Sequence, residues 1–260
     1  MKIYIPTLGR PNNQKAYDNL PSFLQEKTVL VVQPHENHLY SNYPIVVLPE
    51  DDYGISNTRK YIMELGHGEI FAMMDDDVIV KERTPNMSPT KRPMTEDSWK
   101  HLIDTTMEWL ESDVNFVSLM QGNLPPRGKD YADNSASCAL VFYDGKKSPT
   151  TSEFNWFPDL LAEDAHIHLQ LLLKGYNNRV WQKYCCTQLS YSKGGCESLR
   201  SLDMMNKSHE KLVEQYPDVV KWFTKDGKQL ISENKKSYGW KRVKILYNKA
   251  GKIGAKNVVR

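Results

Sequence analysis

The chain has 260 residues, 40% of them hydrophobic and 25% charged, with a formal net charge of +2. That balance excludes a disordered or fibrous chain and allows a sizeable buried core. No apolar run approaches the roughly 18 residues needed to cross a bilayer, and the N-terminus begins as a strand rather than a signal peptide, so no membrane association and a cytoplasmic location are expected. Four cysteines, Cys138, Cys185, Cys186 and Cys196, lack paired C-x-x-C spacing. Free thiols are expected, with neither a zinc site nor a secreted disulfide framework.

The elements alternate from the start. Residues 3–7 predict a short strand, followed by a loop through Arg10 and Pro11 and a helix from Asn12 or Asn13 to about Leu20. Residues 28–33 predict a second, buried strand, then a short helical piece to about Tyr43, and residues 45–49 a third strand. A helix capped by Ser56 is expected to run to Leu65 and end at Gly66. Ile70-Phe71-Ala72-Met73-Met74 then reads as a strand buried on both faces, as in the middle of a parallel sheet. The pattern is that of a doubly wound sheet, whose ligands sit outside the carboxyl ends of the strands.

That fourth strand runs directly into Asp75-Asp76-Asp77. Adjacent carboxylates at the end of an apolar strand repel one another and lose hydration, so they call for a compensating cation or donors. Strand alternation puts Asp75 and Asp77 on one side and Asp76 on the other. An acidic turn is the bland reading. Three carboxylates in a row favour a hard divalent ion, Mn²⁺ or Mg²⁺, completed by water and a substrate diphosphate.

Further on, the polar and Pro-rich residues 81–93 read as a mobile surface loop. A helix capped by Ser98 is expected to Glu111, then a strand at 115–120, a loop to Asn134 and a strand at 136–143. Phe154, Trp156 and Phe157 form an aromatic cluster ahead of a helix over 162–173 that Gly175 terminates. Two edge-like strands follow, at 180–182 and 185–190, and then a turn at Ser192-Lys193-Gly194-Gly195 and a helix over 199–216 stopped by Pro217. Asp164, in the first turn of its helix, is either a complement to the helix dipole or a general base that takes a proton from an attacking hydroxyl. With a metal to hold a leaving diphosphate, it would complete a displacement site.

Taken together, Tyr4-Ile5-Pro6-Thr7 with Arg10, Gln33-Pro34-His35-Glu36, Leu48-Pro49-Glu50, Gly54-Ile55-Ser56-Asn57-Thr58-Arg59, Asp75-Asp76-Asp77 and Glu163-Asp164 resemble a nucleotide-sugar glycosyltransferase of the GT-A type. Their closest likeness is to the phage TET-associated glycosyltransferases, over residues 1–217. The resemblance implies a Rossmann-like α/β fold with a mostly parallel sheet flanked by helices, and a UDP-sugar donor. The acceptor would be the hydroxymethyl group of a modified pyrimidine in DNA, 5-hydroxymethylcytosine or 5-hydroxymethyluracil. It also implies Asp75 and Asp77 as metal ligands and Asp164 as base, giving inversion at the anomeric carbon. Pro6, Thr7, Arg10, Glu36, Gly54, Asn57, Arg59, Asp75, Asp76 and Lys193 would hold the nucleotide sugar, and Trp156, Phe157 and Glu163 the acceptor.

Residues 218–260 read as a separate basic extension. From Lys225 to Arg260 there are eleven Lys/Arg against Asp226 and Glu233, a local charge of +9 that leaves −7 on the rest. Such an asymmetry suits a polyanion such as DNA, or is a solvated tail. Three other readings stay open at this point. The acceptor could be a glycan or small molecule. The chain could be a haloacid-dehalogenase-like phosphatase, whose D-x-D-x-[TV] motif Asp75-Asp76-Asp77-Val78-Ile79 approaches. It could also be a catalytically silent nucleic-acid-binding module.

Overall fold

The computed structural model describes residues 1–84, 90–126, 128–157, 161–188, 201–225, 228–229 and 241–258. Its first half follows the sequence closely. Strands β1 (Lys2–Pro6), β2 (Thr28–Val32), β3 (Ile45–Val47) and β4 (Ile70–Met74) are parallel in the order β3-β2-β1-β4. Tyr4 is in register with Val29 on one side and Met73 on the other. The helix expected from Asn12 or Asn13 to about Leu20 is instead the single turn α1 (Lys15–Asp18), with Gln14 and not an asparagine at its N-cap; a second turn, α2 (Ser22–Gln25), completes the link to β2, and a 3-10 segment, Pro34–Tyr40, follows β2. Helix α3 (Gly54–Leu65) enters β4. It begins two residues before the expected cap, and Ser56 is buried inside it.

Beyond β4 the sheet becomes mixed. Strands β5 (Val78–Arg83) and β6 (Lys91–Pro93) form an antiparallel pair where a loop was expected. The charged residues disguised it, because their partners come from elsewhere in the fold. Buried Glu82 pairs with Arg92 at 3.0 Å and accepts from the Ser98 hydroxyl at 2.7 Å, while buried Arg83 donates to the Gln182 carbonyl at 3.0 Å. Helix α4 (Glu96–Glu111) is capped by Thr95 rather than Ser98, whose N–H donates to the Thr95 hydroxyl at 3.1 Å. Strands β7 (Phe116–Gln121), β8 (Tyr131–Asp133) and β9 (Cys138–Asp144) follow, then α5 (Glu163–Leu173) and β10 (Asn178–Gln188). The two edge-like strands expected at 180–182 and 185–190 are one strand, β10, paired to β7 and β5 with an irregularity between Trp181 and Cys185. The sheet continues β4-β9-β7-β10-β5-β6, with β8 beside β10, giving ten strands among the described residues. Helix α6 (Leu202–Gln215) leads to β11 (Val220–Trp222), β12 (Thr224–Lys225), β13 (Lys228–Gln229), β14 (Val243–Ile245) and helix α7 (Tyr247–Val258).

Alternation along the strands builds two cores. Ile3, Ile5, Leu30, Val32, Ala72, Met74, Val117 and Phe142 face α1, α2 and α4. Tyr4, Val31, Phe71, Met73, Phe116 and Tyr143 face α3, α5 and α6, with Ala250 of α7 in the same cluster. Val220 also belongs to it, so part of the basic C-terminal segment is packed against the Rossmann-like body. Cys138, Cys185 and Cys186 are buried free thiols, and no described helix is long and apolar enough to cross a membrane.

Candidate active site

The three aspartates emerge at the carboxyl edge of the parallel strands, beside the loop that leaves β1. There the Asp75 N–H donates to the Ala139 carbonyl at 2.8 Å and the Val78 N–H to the Asp75 carbonyl at 3.3 Å, so the chain turns and the pleat ends. Asp76 points inward, accepting from the Thr7 hydroxyl at 2.7 Å and pairing with the Arg10 guanidinium. Asp77 lies 3.7 Å from the same guanidinium. The strict alternation expected from a strand therefore stops at Asp75, because a turn and not a pleat carries Asp76 and Asp77. Exposure separates them instead. The side chains of Asp75 and Asp77 are 24% and 22% exposed, that of Asp76 only 8%. Burial pushes the Asp76 carboxyl up to about 6 against the opposing Thr7 hydrogen bond and Arg10 charge.

The same edge carries a polar cradle. Pro6 is buried at the end of β1, in register with Val31. Glu36 accepts from the Gly9 N–H at 2.8 Å, and the Arg10 N–H donates to the Tyr40 hydroxyl at 3.1 Å. The Gln14 amide donates to the Thr7 hydroxyl at 2.9 Å and to the Arg10 carbonyl at 2.8 Å. Gln14, Gln33 and Glu36 each keep a buried side-chain oxygen with no hydrogen-bond partner among the described residues. Arg10, expected toward the nucleotide, is directed to Asp76 and Asp77.

Arg59 joins the two acidic centres. Gly54 opens α3 at φ 71°, a conformation that glycine adopts without strain, and Asn57 stands half-buried in its first turns. From the next turn the Arg59 Nη2 donates to Asp75 at 2.7 Å and its Nε to Glu163 at 3.0 Å. A third contact goes from Nη1 to the Met73 sulfur at 3.1 Å. Burial opposes its charge, but Asp75, Glu163 and Asp164 together hold the guanidinium protonated well above its ordinary range. Glu163, expected on the acceptor side, is directed to Arg59, and its carboxyl is raised by burial and lowered by that arginine. One guanidinium thus spans the strand that carries Asp75 and the helix that carries Asp164.

Asp164 sits in the first turn of α5, where its Oδ1 accepts from the Ala165 N–H at 2.6 Å. Behind it the helix buries two histidines. His168 is 2.8 Å from the Tyr143 hydroxyl and stacks on Phe116, and burial lowers it to about 3. His166 is 2.8 Å from the Tyr216 hydroxyl and is lowered to about 4. Of the aromatic cluster, Phe154 is core, Trp156 donates from its indole N–H to the Thr151 carbonyl at 2.6 Å, and Phe157 stacks on His166 at 5.0 Å. Lys193 lies outside the described residues. The sequence reading missed Gln14 and Tyr40, which reach the site only through tertiary packing. Gln33 was noticed only as the end of a strand.

Among the described residues no group of three or more His, Cys, Asp or Glu is placed to enclose a metal. The side chains of Asp75 and Asp77, 24% and 22% exposed, are the carboxylates here that a hard divalent ion could use, since such ions take one or two carboxylates and leave the remaining positions to water and phosphate.

Residues 1–195 match the TET-Associated Glycosyltransferase family. Two phage proteins are similar along nearly the whole chain: the Beta-glucosyl-HMC-alpha-glucosyl-transferases of Enterobacteria phages T2 and T6. Each is 24% identical over 253 residues, covering 92% of this chain and 88% of the relative. Among solved structures, residues 1–349 of S. aureus TarS align with a TM-score of 0.47 at 13% identity, over 82% of this chain. The chain spans 66% of that fragment, just under two-thirds. Glucosyl-3-phosphoglycerate synthase from Mycobacterium tuberculosis, in complex with UDP, aligns with a TM-score of 0.45 at 11% identity, over 95% of this chain and 90% of its own. With a family match over three-quarters of its length, and with an α/β sheet at whose edge the acidic centres gather, the chain belongs to the TET-associated glycosyltransferases and is a glycosyltransferase.

Proposed function

We propose that this enzyme moves a sugar from a UDP-sugar to the hydroxymethyl group of a modified pyrimidine in DNA, by a metal-dependent displacement with inversion. The observation that carries the reading is Arg59, which ties Asp75 to Glu163 and so brings the aspartate strand and the first turn of α5 to one cleft. The unpartnered oxygens of Gln14, Gln33 and Glu36 are acceptors suited to the N–H of a base and the hydroxyls of a ribose, at the β1 and β2 edge where a nucleotide docks. Asp75 and Asp77 would hold Mn²⁺ or Mg²⁺, which supplies positive charge to the departing diphosphate. Asp164 takes the proton of the acceptor hydroxyl as its oxygen attacks the anomeric carbon. The bond from that carbon to the diphosphate oxygen breaks, UDP leaves with the electron pair, and the anomeric configuration is reversed. Trp156 and Phe157, both only partly buried, are candidates to touch the acceptor.

The name of the phage relatives favours a second reading, in which the acceptor is a sugar already carried by the base. One experiment separates the two. The enzyme is given a panel of nucleotide sugars with Mn²⁺ or with EDTA, on hydroxymethylated duplex and on duplex glucosylated beforehand, and the nucleosides are weighed by mass spectrometry. One added hexose or aminosugar on the hydroxymethylated duplex supports the first reading. Addition confined to the glucosylated duplex supports the second, and addition to neither refutes a DNA acceptor. A product anomer matching the donor's would rule out inversion, and full activity in EDTA would rule out the metal.

A further inference from the structure

The family match ends at residue 195, yet the chain packs against α5 well beyond it. That contact is made by helix α7. At their C-terminal ends the fit leaves no room for a side chain: a Cβ on Gly254 would lie 1.9 Å from the Leu172 carbonyl oxygen and 2.7 Å from the Gly175 nitrogen. Asn257 Nδ2 donates to the Leu173 carbonyl at 3.4 Å. At the other end the Leu246 N–H donates to the Val219 carbonyl at 2.8 Å, which fixes where α7 begins. Asp164 lies about two turns before Leu172, and Tyr247 about two turns before Gly254, so helices paired at their C-terminal ends bring the two residues level. Tyr247 packs partly buried on the core that includes Ile167 and Leu171 of α5. We infer that Tyr247 is an acceptor-binding residue of this active site, its phenol hydrogen-bonding the acceptor beside the hydroxyl that faces Asp164.

The surroundings of the phenol agree. Burial, the charge of Asp164 and the nearby Cys138 all raise it above its usual range, so it stays protonated and can donate. Cys138 opens β9 one residue before Ala139, whose carbonyl holds the Asp75 N–H. The phenol therefore lies near both Asp164 and the Asp75 end of the sheet. Among the described residues no hydrogen bond joins it to Asp164, whose Oδ1 accepts from the Ala165 N–H.

The inference rests on the cleft proposed above, and its test is separable from that reading. Full-length Tyr247→Phe is compared with wild type for acceptor KM, donor KM and the slow release of UDP without acceptor. The expected result is an acceptor KM about tenfold higher, the loss of one hydrogen bond, with donor KM and acceptor-free UDP release within about twofold. An unchanged acceptor KM overturns the assignment. So does a loss shared equally by acceptor-free UDP release, the mark of a merely structural role. Asp164→Asn is measured alongside: if it keeps full turnover the base assignment fails, while the Tyr247→Phe comparison, made with Asp164 intact, still decides its own case.

Discussion

Arg59 shows what a single buried cation can organise. Its side chain is 11% exposed, and it satisfies Asp75 and Glu163, which are themselves mostly buried. Removing it leaves two carboxylates facing each other without compensation, a fault that typically costs about 3–5 kcal/mol. Arg59→Met is therefore expected to lower unfolding stability in urea by roughly that amount and to abolish transfer, whereas Arg59→Lys, with one charge but no fork, keeps part of the stability. A variant as stable as wild type would mean that the guanidinium bridge does not hold the cleft. The histidines behind Asp164 give a pH signature. His166 and His168 are neutral in the folded state, lowered from an ordinary 6.5 to about 4 and about 3. The unfolded chain takes up protons below 6.5 that the folded chain refuses, so stability is full above that pH and falls as pH drops toward 4. The slope is up to about 1.4 kcal/mol per pH unit for each histidine. Thermal midpoints measured between pH 7 and 4.5 are expected to fall less steeply in His168→Gln than in wild type. Asp75, Asp77 and Asp164 were legible in the sequence as positions because each sits at an element end that pattern alone locates, and Arg59, inside α3, as a charge on a helix expected there. Gln14, Tyr40 and Tyr247 were not, since nothing in their neighbours along the chain says what they meet in space.

The N-terminal elements could be read because buried parallel strands are apolar throughout and their helices are punctuated by glycine. Strands β5 and β10 break that rule. Lys81, Glu82, Arg83 and Lys183 interrupt their apolar pattern, and the sheet accepts them because Ser98, Arg92 and the Gln182 carbonyl supply partners from distant elements. Helix α7 is the clearest case of an element whose role the sequence hid, since its lysines read as a tail while Ala250 is fully buried. Its tight glycine contact makes a direct test. Gly254→Ala is accommodated only if α7 lifts from α5, and overpacking of this kind costs about 1–3 kcal/mol. The expected outcome is a lower urea midpoint together with a raised acceptor KM, because the same shift withdraws Tyr247. Stability lost with acceptor KM unchanged would separate the packing of α7 from the cleft.

At the scale of the whole molecule, the charge split between an acidic body and a C-terminal stretch of +9 bears on how a polyanion would be held. Its described part is not a free fringe: β14 pairs with β11, Val220 opposite Ile245, and two lysines have internal partners, Lys241 with Glu210 at 3.3 Å and Lys249 with the Asp218 carbonyl at 2.9 Å. Fewer than the full set can then meet phosphates. If about three do, affinity should scale with salt to a power near −2.7, and raising salt from about 50 to about 200 mM should increase the acceptor KM roughly 40-fold. The donor, bound inside the cleft, should respond far less. Truncating the segment would strip Ala250 from the core and confuse folding with binding, so the charges are better removed one at a time. Lys252 and Lys256 are exposed on α7. Replacing both with Gln should flatten the salt slope by about two if they face phosphates, with the acceptor KM at low salt rising and the donor KM unmoved. An acceptor KM that ignores salt in wild type would assign the +9 to solvation alone and leave recognition of DNA to the cleft.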